Sequence, residues 1–184
     1  MEKSIAVATD TNSGIMQEEA ERLGVHVVPM PFVVDGEECF EGVNLEAPAF
    51  YARLADGADI VTSQPSIVDL GKLWVEVLET HDELVYLPMS SGLSGSCETA
   101  RSLAEQHFPG RVHVVDNQRI SVTQREAVLD ALQWVAEGRP AADPDDESGA
   151  HLCRQRPGAP GGGDQRVWLH LVEQLPSDPQ ALEQ

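Results

Sequence analysis

The sequence contains few positive charges. Among its 184 residues there are 12 Lys and Arg but 31 Asp and Glu, so the formal net charge is −19. A charge of this size repels the phosphate backbone of nucleic acids and the surface of anionic membranes. We therefore expect no nucleic-acid partner.

Cysteines and long apolar runs are also scarce. Cys39, Cys97 and Cys153 form no C-x-x-C pair, which gives no support to a disulfide framework or a zinc site. No stretch approaches the roughly 18 apolar residues of a membrane span, and residues 1–10 lack the apolar centre of a signal peptide. These absences predict a cytoplasmic protein that has no integral membrane segment and no metal.

Short apolar runs alternate with helical patterns along residues 1–140. This alternation, with short connections, is typical of an α/β fold: a mostly parallel sheet covered by helices on both faces. The predicted strands are residues 4–9, 26–34 (an edge or irregular strand because of Pro29 and Pro31), 60–62, 84–87 and 112–115. The first predicted helix carries Met16, Ala20 and Leu23 and ends at Gly24, and the second spans 46–54. The third begins at Ser66 and has Ile67, Leu70, Trp74 and Val77 on one stripe. The fourth spans 94–107, with Cys97, Ala100, Leu103 and Ala104 inward, and the fifth spans 122–137.

The composition changes after about residue 140. The final 44 residues hold five of the 15 glycines and five of the 12 prolines, and only residues 167–175 are densely apolar. A segment with so many turn formers and so little periodicity is typical of an irregular tail. We therefore predict a domain over residues 1–140 and a Gly/Pro-rich tail over residues 141–184.

One loop combines several features of an anion site. An apolar strand at 84–87 leads into four serines between residues 90 and 96, and then into a helix. Gly92 and Gly95 are expected to let the backbone turn without a Cβ clash, and the free N–H groups at a helix start attract anions. No Lys or Arg lies in this loop, which favours a small, singly charged head group. The same residues also suit a simple helix cap, so the loop alone leaves both interpretations open.

Four polar loops are predicted at the carboxyl ends of the strands, where ligands bind in doubly wound sheets. Together they could hold one carboxylate with hydroxyl donors and a helix N-terminus. They comprise residues 9–13, 62–66, 90–95 and 116–118.

Two other interpretations remain open at this point. A small phosphotransferase or hydrolase could use Asp10 or a loop serine, although none of these loops contains a His and a serine needs a base to become a nucleophile. The chain could also be a non-functional truncated fragment.

The loops resemble successive motifs of the DegV family. The matching segments are Thr-Asp-Thr-Asn-Ser around Asp10, Thr-Ser-Gln-Pro-Ser from Thr62, Ser-Ser-Gly-Leu-Ser-Gly-Ser from Ser90 and Val-Asp-Asn around Asp116. The resemblance covers about residues 4–140, and the second and third motifs in this order are highly specific.

The resemblance implies a fatty-acid-binding protein that presents its ligand, such as palmitate or oleate, to the catalytic subunit of a fatty acid kinase. It implies no catalytic residue, metal or cofactor in this chain. The implied carboxylate ligands are Thr62 and Ser94, with Ser91 and Ser63 beside them. The implied supporting residues are Asp10, Ser13, Ser90, Gly92, Gly95 and Asp116.

The chain departs from the family after residue 140. Family members continue into a second domain that covers the ligand, whereas here that domain is missing or replaced by the predicted irregular tail. A truncated gene or a shifted reading frame would produce such a sequence. Asn12, Ser13 and Gly14 also stand where the family often has further serines and an acidic residue.

Overall fold

The computed structural model describes residues 3–40, 43–45 and 47–141, which fold around a four-stranded parallel sheet. In spatial order its strands are β2 (Val25–Val28), β1 (Ile5–Asp10), β6 (Glu83–Leu87) and β7 (Val112–Val114). The helices are α1 (Gln17–Leu23), α2 (Ala47–Ala55), α3 (Ile67–Leu78), α4 (Ser96–His107) and α5 (Ser121–Ala136), and a 3-10 turn (Thr11–Ser13) follows β1.

Alternate residues of this sheet face two different layers of helices, as the period of a strand requires. Ala8 and Tyr86 pack with side chains of α3 and α4, including the fully buried Trp74. Val7 and Val85 pack on the other face with side chains of α1 and α5. The predicted α/β class, with helices on both faces of a parallel sheet, is confirmed.

A second, antiparallel sheet was not predicted. Its spatial order is β4 (Glu37–Phe40), β3 (Pro31–Val34) and β5 (Ile60–Thr62). Asp35 and Gly36 join β3 to β4 with φ angles of 51° and 84°, as in the two-residue Asp-Gly turn that favours hairpins. This dipeptide was the signal from which the hairpin could have been predicted. We call β3, β4, β5 and α2 together the small lobe.

The prediction of one strand over residues 26–34 was wrong. The segment forms β2 in the parallel sheet and β3 in the antiparallel sheet, with Pro29 and Met30 between them. Proline lacks an N–H and interrupts strand pairing. The N–H of Met30 instead donates to Thr11 Oγ1 (3.1 Å), which fixes the point at which the chain leaves one sheet for the other.

The start of α3 is as predicted, with one exception. Ser66 Oγ accepts from the Asp69 N–H (3.1 Å), which completes the expected cap, and Leu70, Trp74 and Val77 are buried. Ile67 is not buried: it is 55% exposed, because the first turn of α3 borders an open groove beside Phe40 rather than the parallel sheet.

The predicted tail lies outside the described residues, apart from Ala141. That residue is buried and packs in the same core as Val7 and Val85, so it belongs to the domain rather than to the tail. In the part of the chain that the structure describes, none of the helices has the length and apolar content needed to cross a bilayer.

Asp10, at the end of β1, joins three segments of the chain. Its side chain is fully buried, and its Oδ2 accepts from the Met89 N–H (2.8 Å) after β6. Its Oδ1 accepts from the Asn12 N–H (3.1 Å) and from Gln124 Nε2 of α5 (3.1 Å). Burial raises the pKa of Asp10 above its ordinary value, although the three N–H donors act in the opposite direction. The carboxylate thus holds the loops after β1 and β6 at fixed positions.

Replacing Asp10 with Asn should destabilise the protein. An amide has one accepting oxygen, so either the Met89 N–H or the Asn12 and Gln124 donors would face an NH₂ group instead. We expect the free energy of unfolding, measured by urea denaturation, to fall by about 1–3 kcal/mol. The same exchange at the exposed Asp56 is the control and should change it by less than about 0.5 kcal/mol. Equal effects at both positions would contradict the role given to Asp10.

Candidate functional site

A cleft of about 650 Å³ opens between the small lobe and the carboxyl edge of the parallel sheet. Most of its wall is apolar, and a few neutral polar side chains stand among the apolar ones. None of its described lining residues carries a charge. They are Asn12, Met30, Pro31, Phe32, Leu45, Phe50, Tyr51, Ile60, Thr62, Ser63, Gln64, Met89, Leu93 and Ser94.

Thr62 reaches the cleft from the small lobe. It is the last residue of β5 and pairs with Phe32 of β3, so the two side chains lie on the same face of the sheet. The Ser63 N–H donates to the Pro31 carbonyl (3.1 Å) and continues this pairing past the strand end. Among the described residues no side chain or backbone group bonds to the Thr62 hydroxyl. This hydroxyl is therefore available to a ligand.

Thr62 reaches the cleft from a different sheet than the sequence predicts. The loop 62–66 was expected at the carboxyl edge of the parallel sheet, but β5 belongs to the antiparallel sheet. The small lobe brings Thr62, Ser63 and Gln64 to that edge from the side. The other three predicted loops do follow strands of the parallel sheet, namely β1, β6 and β7.

Ser94 reaches the cleft from the loop between β6 and α4. Its Oγ accepts from the N–H of Ser96 (3.1 Å), the first residue of α4. The helix begins at Ser96, with Gly95 as its N-cap, rather than at the predicted residue 94. A hydroxyl that accepts in this way can still donate its own proton. The described residues provide no acceptor for that proton. Ser94 thus accepts a hydrogen bond from the start of α4 and is still a free donor at the cleft.

Ser91 does not line the cleft. Its hydroxyl donates to Asp116 Oδ2 (2.5 Å) and its N–H donates to Asp116 Oδ1 (3.2 Å). Partial burial acts to raise the pKa of Asp116, but these bonds and the one from the Gln118 N–H outweigh it and hold the pKa below its ordinary value. The pair joins the loop after β6 to the loop after β7.

The remaining predicted supporting residues shape the loops from behind. Ser13 donates to the Asp10 carbonyl (2.8 Å), and the Ser90 N–H donates to the Arg119 carbonyl (2.9 Å). Ser90 Oγ accepts from the Gly92 N–H (3.1 Å). These contacts fix the course of the loop that ends at Ser94.

The role expected of the two loop glycines was wrong. Neither Gly92 nor Gly95 has a positive φ, and Gly95 has an ordinary helical φ of −70°. A Cβ at Gly95 would lie 3.5 Å from Gln64 Oε1, which is a normal packing distance. The loop therefore turns through its hydrogen bonds and not through left-handed glycines.

The electrostatics of the cleft suit a single negative charge. The start of α4 lies beside Ser94, and its first backbone N–H groups carry partial positive charge. Because no charged side chain is among the described lining residues, a carboxylate would meet neutral side-chain donors, which include the hydroxyls of Thr62 and Ser94 and the amides of Asn12 and Gln64.

Sequence reasoning did not identify the apolar wall. Phe32 and Phe50 make an edge-to-face contact (5.3 Å between ring centroids), and Phe50 contacts Tyr51 in the same way (5.4 Å). These residues come from β3 and α2, and no local period links them. Their contribution follows from the antiparallel sheet, whose Asp-Gly turn was the available signal. Asn12 and Gln64 were quoted in the motifs but were not selected as site residues.

The site does not supply the parts of a hydrolase or phosphotransferase. Both oxygens of Asp10 accept hydrogen bonds inside the protein and the side chain is fully buried, so it cannot reach a substrate. No His is present among the described residues that line the cleft with Ser94. Among the described residues no three His, Cys, Asp or Glu side chains form a group that could hold a metal ion.

Comparison with known proteins identifies the family of this chain. Residues 4–145 match the family described as "Uncharacterised protein, DegV family". A DegV domain-containing protein of Deinococcus radiodurans is 36% identical over 137 residues, which cover 74% of this chain and 48% of the relative. This chain therefore spans about half the length of the curated relatives that it matches.

Two solved structures have the same fold over this region. One is described as showing fatty acid binding of a DegV family protein from Thermus thermophilus. It has a TM-score of 0.68 and 36% identity, with 74% of this chain and 49% of that protein covered. The other is DegV, a fatty acid binding protein from Bacillus subtilis, with a TM-score of 0.68 and 27% identity, covering 78% and 51%. Because these matches cover about three quarters of its length, the chain belongs to the DegV family.

Proposed function

We propose that this chain binds a long-chain fatty acid such as palmitate or oleate in the cleft, with the carboxylate held by the hydroxyls of Thr62 and Ser94. The observation that carries the proposal is that these two free hydroxyls stand at an apolar cleft whose described lining residues carry no charge. The fatty acids bound by the relatives from T. thermophilus and B. subtilis support it. Ser63 lies beside Thr62 on the wall, and Ser91 supports the loop through Asp116.

The apolar wall suits an acyl chain better than a compact anion. Phe32, Phe50, Leu45 and Ile60 line the cleft from the small lobe, and Met89 lines it from the loop after β6. Covering apolar surface contributes about 25 cal/mol per Å². A bound acyl chain would therefore gain most of its binding free energy from this wall, and the hydroxyls would set its orientation.

We further propose that the chain is a binding subunit and not an enzyme, and that it presents the carboxylate to a fatty acid kinase catalytic subunit in the cytoplasm. A carboxylate held only by neutral donors keeps its charge and is not shielded by an Arg or Lys of the binding protein. The cleft is also open at its rim, where Tyr51 and Leu93 are 65% and 58% exposed. Both features suit a ligand whose head group has to react with a second protein.

The head-group assignment predicts a loss of affinity when both hydroxyls are removed. In the double variant Thr62→Val, Ser94→Ala, oleate should bind about 1–3 kcal/mol more weakly because two charge-assisted hydrogen bonds are lost. Competition with a fluorescent fatty acid measures this difference. Ser102→Ala, which removes an exposed hydroxyl of α4 away from the cleft, is the matched control. Methyl oleate lacks the charge and should bind the wild type and the double variant equally. An unchanged oleate affinity in the double variant would place the carboxylate elsewhere.

The apolar wall predicts that affinity rises with chain length. Each methylene that is fully covered contributes about 0.8 kcal/mol, and an open cleft should give somewhat less. Octanoate, dodecanoate and palmitate should therefore bind with increasing affinity in the same competition assay. If all three bind equally, the site recognises an anion only and the acyl chain stays in solvent.

If the chain presents its ligand to a kinase, the carboxylate of the bound fatty acid should accept a phosphoryl group from ATP. The oleate-loaded chain, mixed with ATP and the fatty acid kinase catalytic subunit of the same organism, should release ADP and form an acyl phosphate that hydroxylamine traps. The Thr62→Val, Ser94→Ala variant should form less product at the same oleate concentration. ADP release that is equal with and without the chain would contradict the presentation role.

A further inference from the structure

The small lobe has few connections to the parallel sheet. Two hydrogen-bonded contacts of the described residues tie the segments that flank its strands to the rest of the domain. One is the bond from the Met30 N–H to Thr11 Oγ1, just before β3. The other joins the loop after β5 to α4 through Gln64 and Thr99.

Gln64 and Thr99 make their contact at the mouth of the cleft. Gln64 Nε2 lies 3.2 Å from Thr99 Oγ1, and Gln64 Oε1 lies 3.4 Å from the same hydroxyl. Gln64 is also close to Gly95, since a Cβ there would lie 3.5 Å from its Oε1. The Gln64 side chain thus spans from the segment that carries Thr62 to the helix start that carries Ser94.

The two hydroxyls at the cleft come from parts of the chain that few hydrogen bonds connect, and the Gln64–Thr99 contact is the connection close to both of them in sequence. Thr62 depends on β5, which pairs only with β3 among the described strands, whereas Ser94 lies in the loop just before α4. A carboxylate can accept from both hydroxyls only if their separation is fixed to within a few tenths of an ångström. A contact that ties Gln64, two residues after Thr62, to the first turns of α4 sets that separation.

We propose that the Gln64–Thr99 contact is a clasp that sets the spacing between Thr62 and Ser94, and that Gln64 is therefore a positioning residue for the head group. This inference rests on the proposed function, because it concerns the same carboxylate. Thr99 is not among the described lining residues of the cleft, so it acts on the ligand only through Gln64.

The test compares Gln64→Ala, Thr99→Val and the double variant. Each single change should weaken oleate binding about 3- to 10-fold, as expected for the loss of one partly exposed hydrogen bond. The double variant should bind no more weakly than either single variant, because both changes break the same contact. Thr123→Val removes a comparable exposed hydroxyl near the start of α5 and should leave the affinity unchanged.

A second measurement needs no ligand. Hydrogen exchange of the unliganded protein, followed by mass spectrometry, should show faster exchange over residues 60–64 in Gln64→Ala and in Thr99→Val than in the wild type or Thr123→Val. This result would show that the clasp holds the lobe. If the wild type bound no fatty acid, the proposed function would fail, and the exchange data would still decide whether the clasp exists.

Two results would overturn the clasp. If Gln64→Ala weakened oleate binding while Thr99→Val left both affinity and exchange unchanged, Gln64 would contact the ligand directly. If neither variant changed affinity or exchange, the spacing of Thr62 and Ser94 would not depend on this contact.

Discussion

The arrangement of the site depends on the buried carboxylate of Asp10. Its two oxygens accept three N–H groups, from the loop after β1, the loop after β6 and Gln124 of α5. Because a buried charge is tolerated only when its hydrogen bonds are made, this constraint fixes where both loops leave the sheet. The loop after β6 continues from Met89 to Ser94 and the start of α4. The Ser94 side of the proposed carboxylate site is thus positioned by the buried carboxylate of Asp10.

The net charge of the chain and the charge of its proposed ligand have the same sign. At physiological ionic strength, charges are screened over about 8 Å, so an acidic side chain farther than this from the cleft acts only weakly on it. Close donors decide the local balance. The hydroxyls of Thr62 and Ser94 and the side-chain amides of Asn12 and Gln64 are such donors, and among the described lining residues no acidic side chain opposes them. A neutral cleft in an acidic protein can therefore hold a fatty acid anion without an arginine.

Local patterns predicted the parallel sheet and its helices because each helix buries one apolar stripe and the strands, covered on both faces, form short apolar runs. The four residues expected to point inward from α4, Cys97, Ala100, Leu103 and Ala104, are all buried. β5 and α2 of the small lobe were predicted as a strand and a helix, but its antiparallel pairing was not, because β4 is mostly exposed and shows no apolar alternation.

The sequence also could not show which serine hydroxyls are free to donate to a ligand. Ser91 donates to Asp116, 25 positions away, whereas the Ser94 hydroxyl keeps its proton free. This difference depends on contacts that form only when the chain folds. The assignment of Thr62 and Ser94 came from motif resemblance and remains a prediction.

The stability of the small lobe should depend on whether a ligand is bound. Its own core contains three buried side chains, Val34, Cys39 and Leu45, and Phe32 and Phe50 are only partly buried against them. So small a core contributes little stability alone. The partly buried side chains face the cleft, so an acyl chain in it would cover apolar surface that the lobe cannot cover itself. The lobe should then be among the less stable parts of the empty domain and be stabilised by the ligand. Because the lobe is only weakly stable when the cleft is empty, the proposed clasp between the lobe and α4 would hold Thr62 near Ser94 before the acyl chain binds.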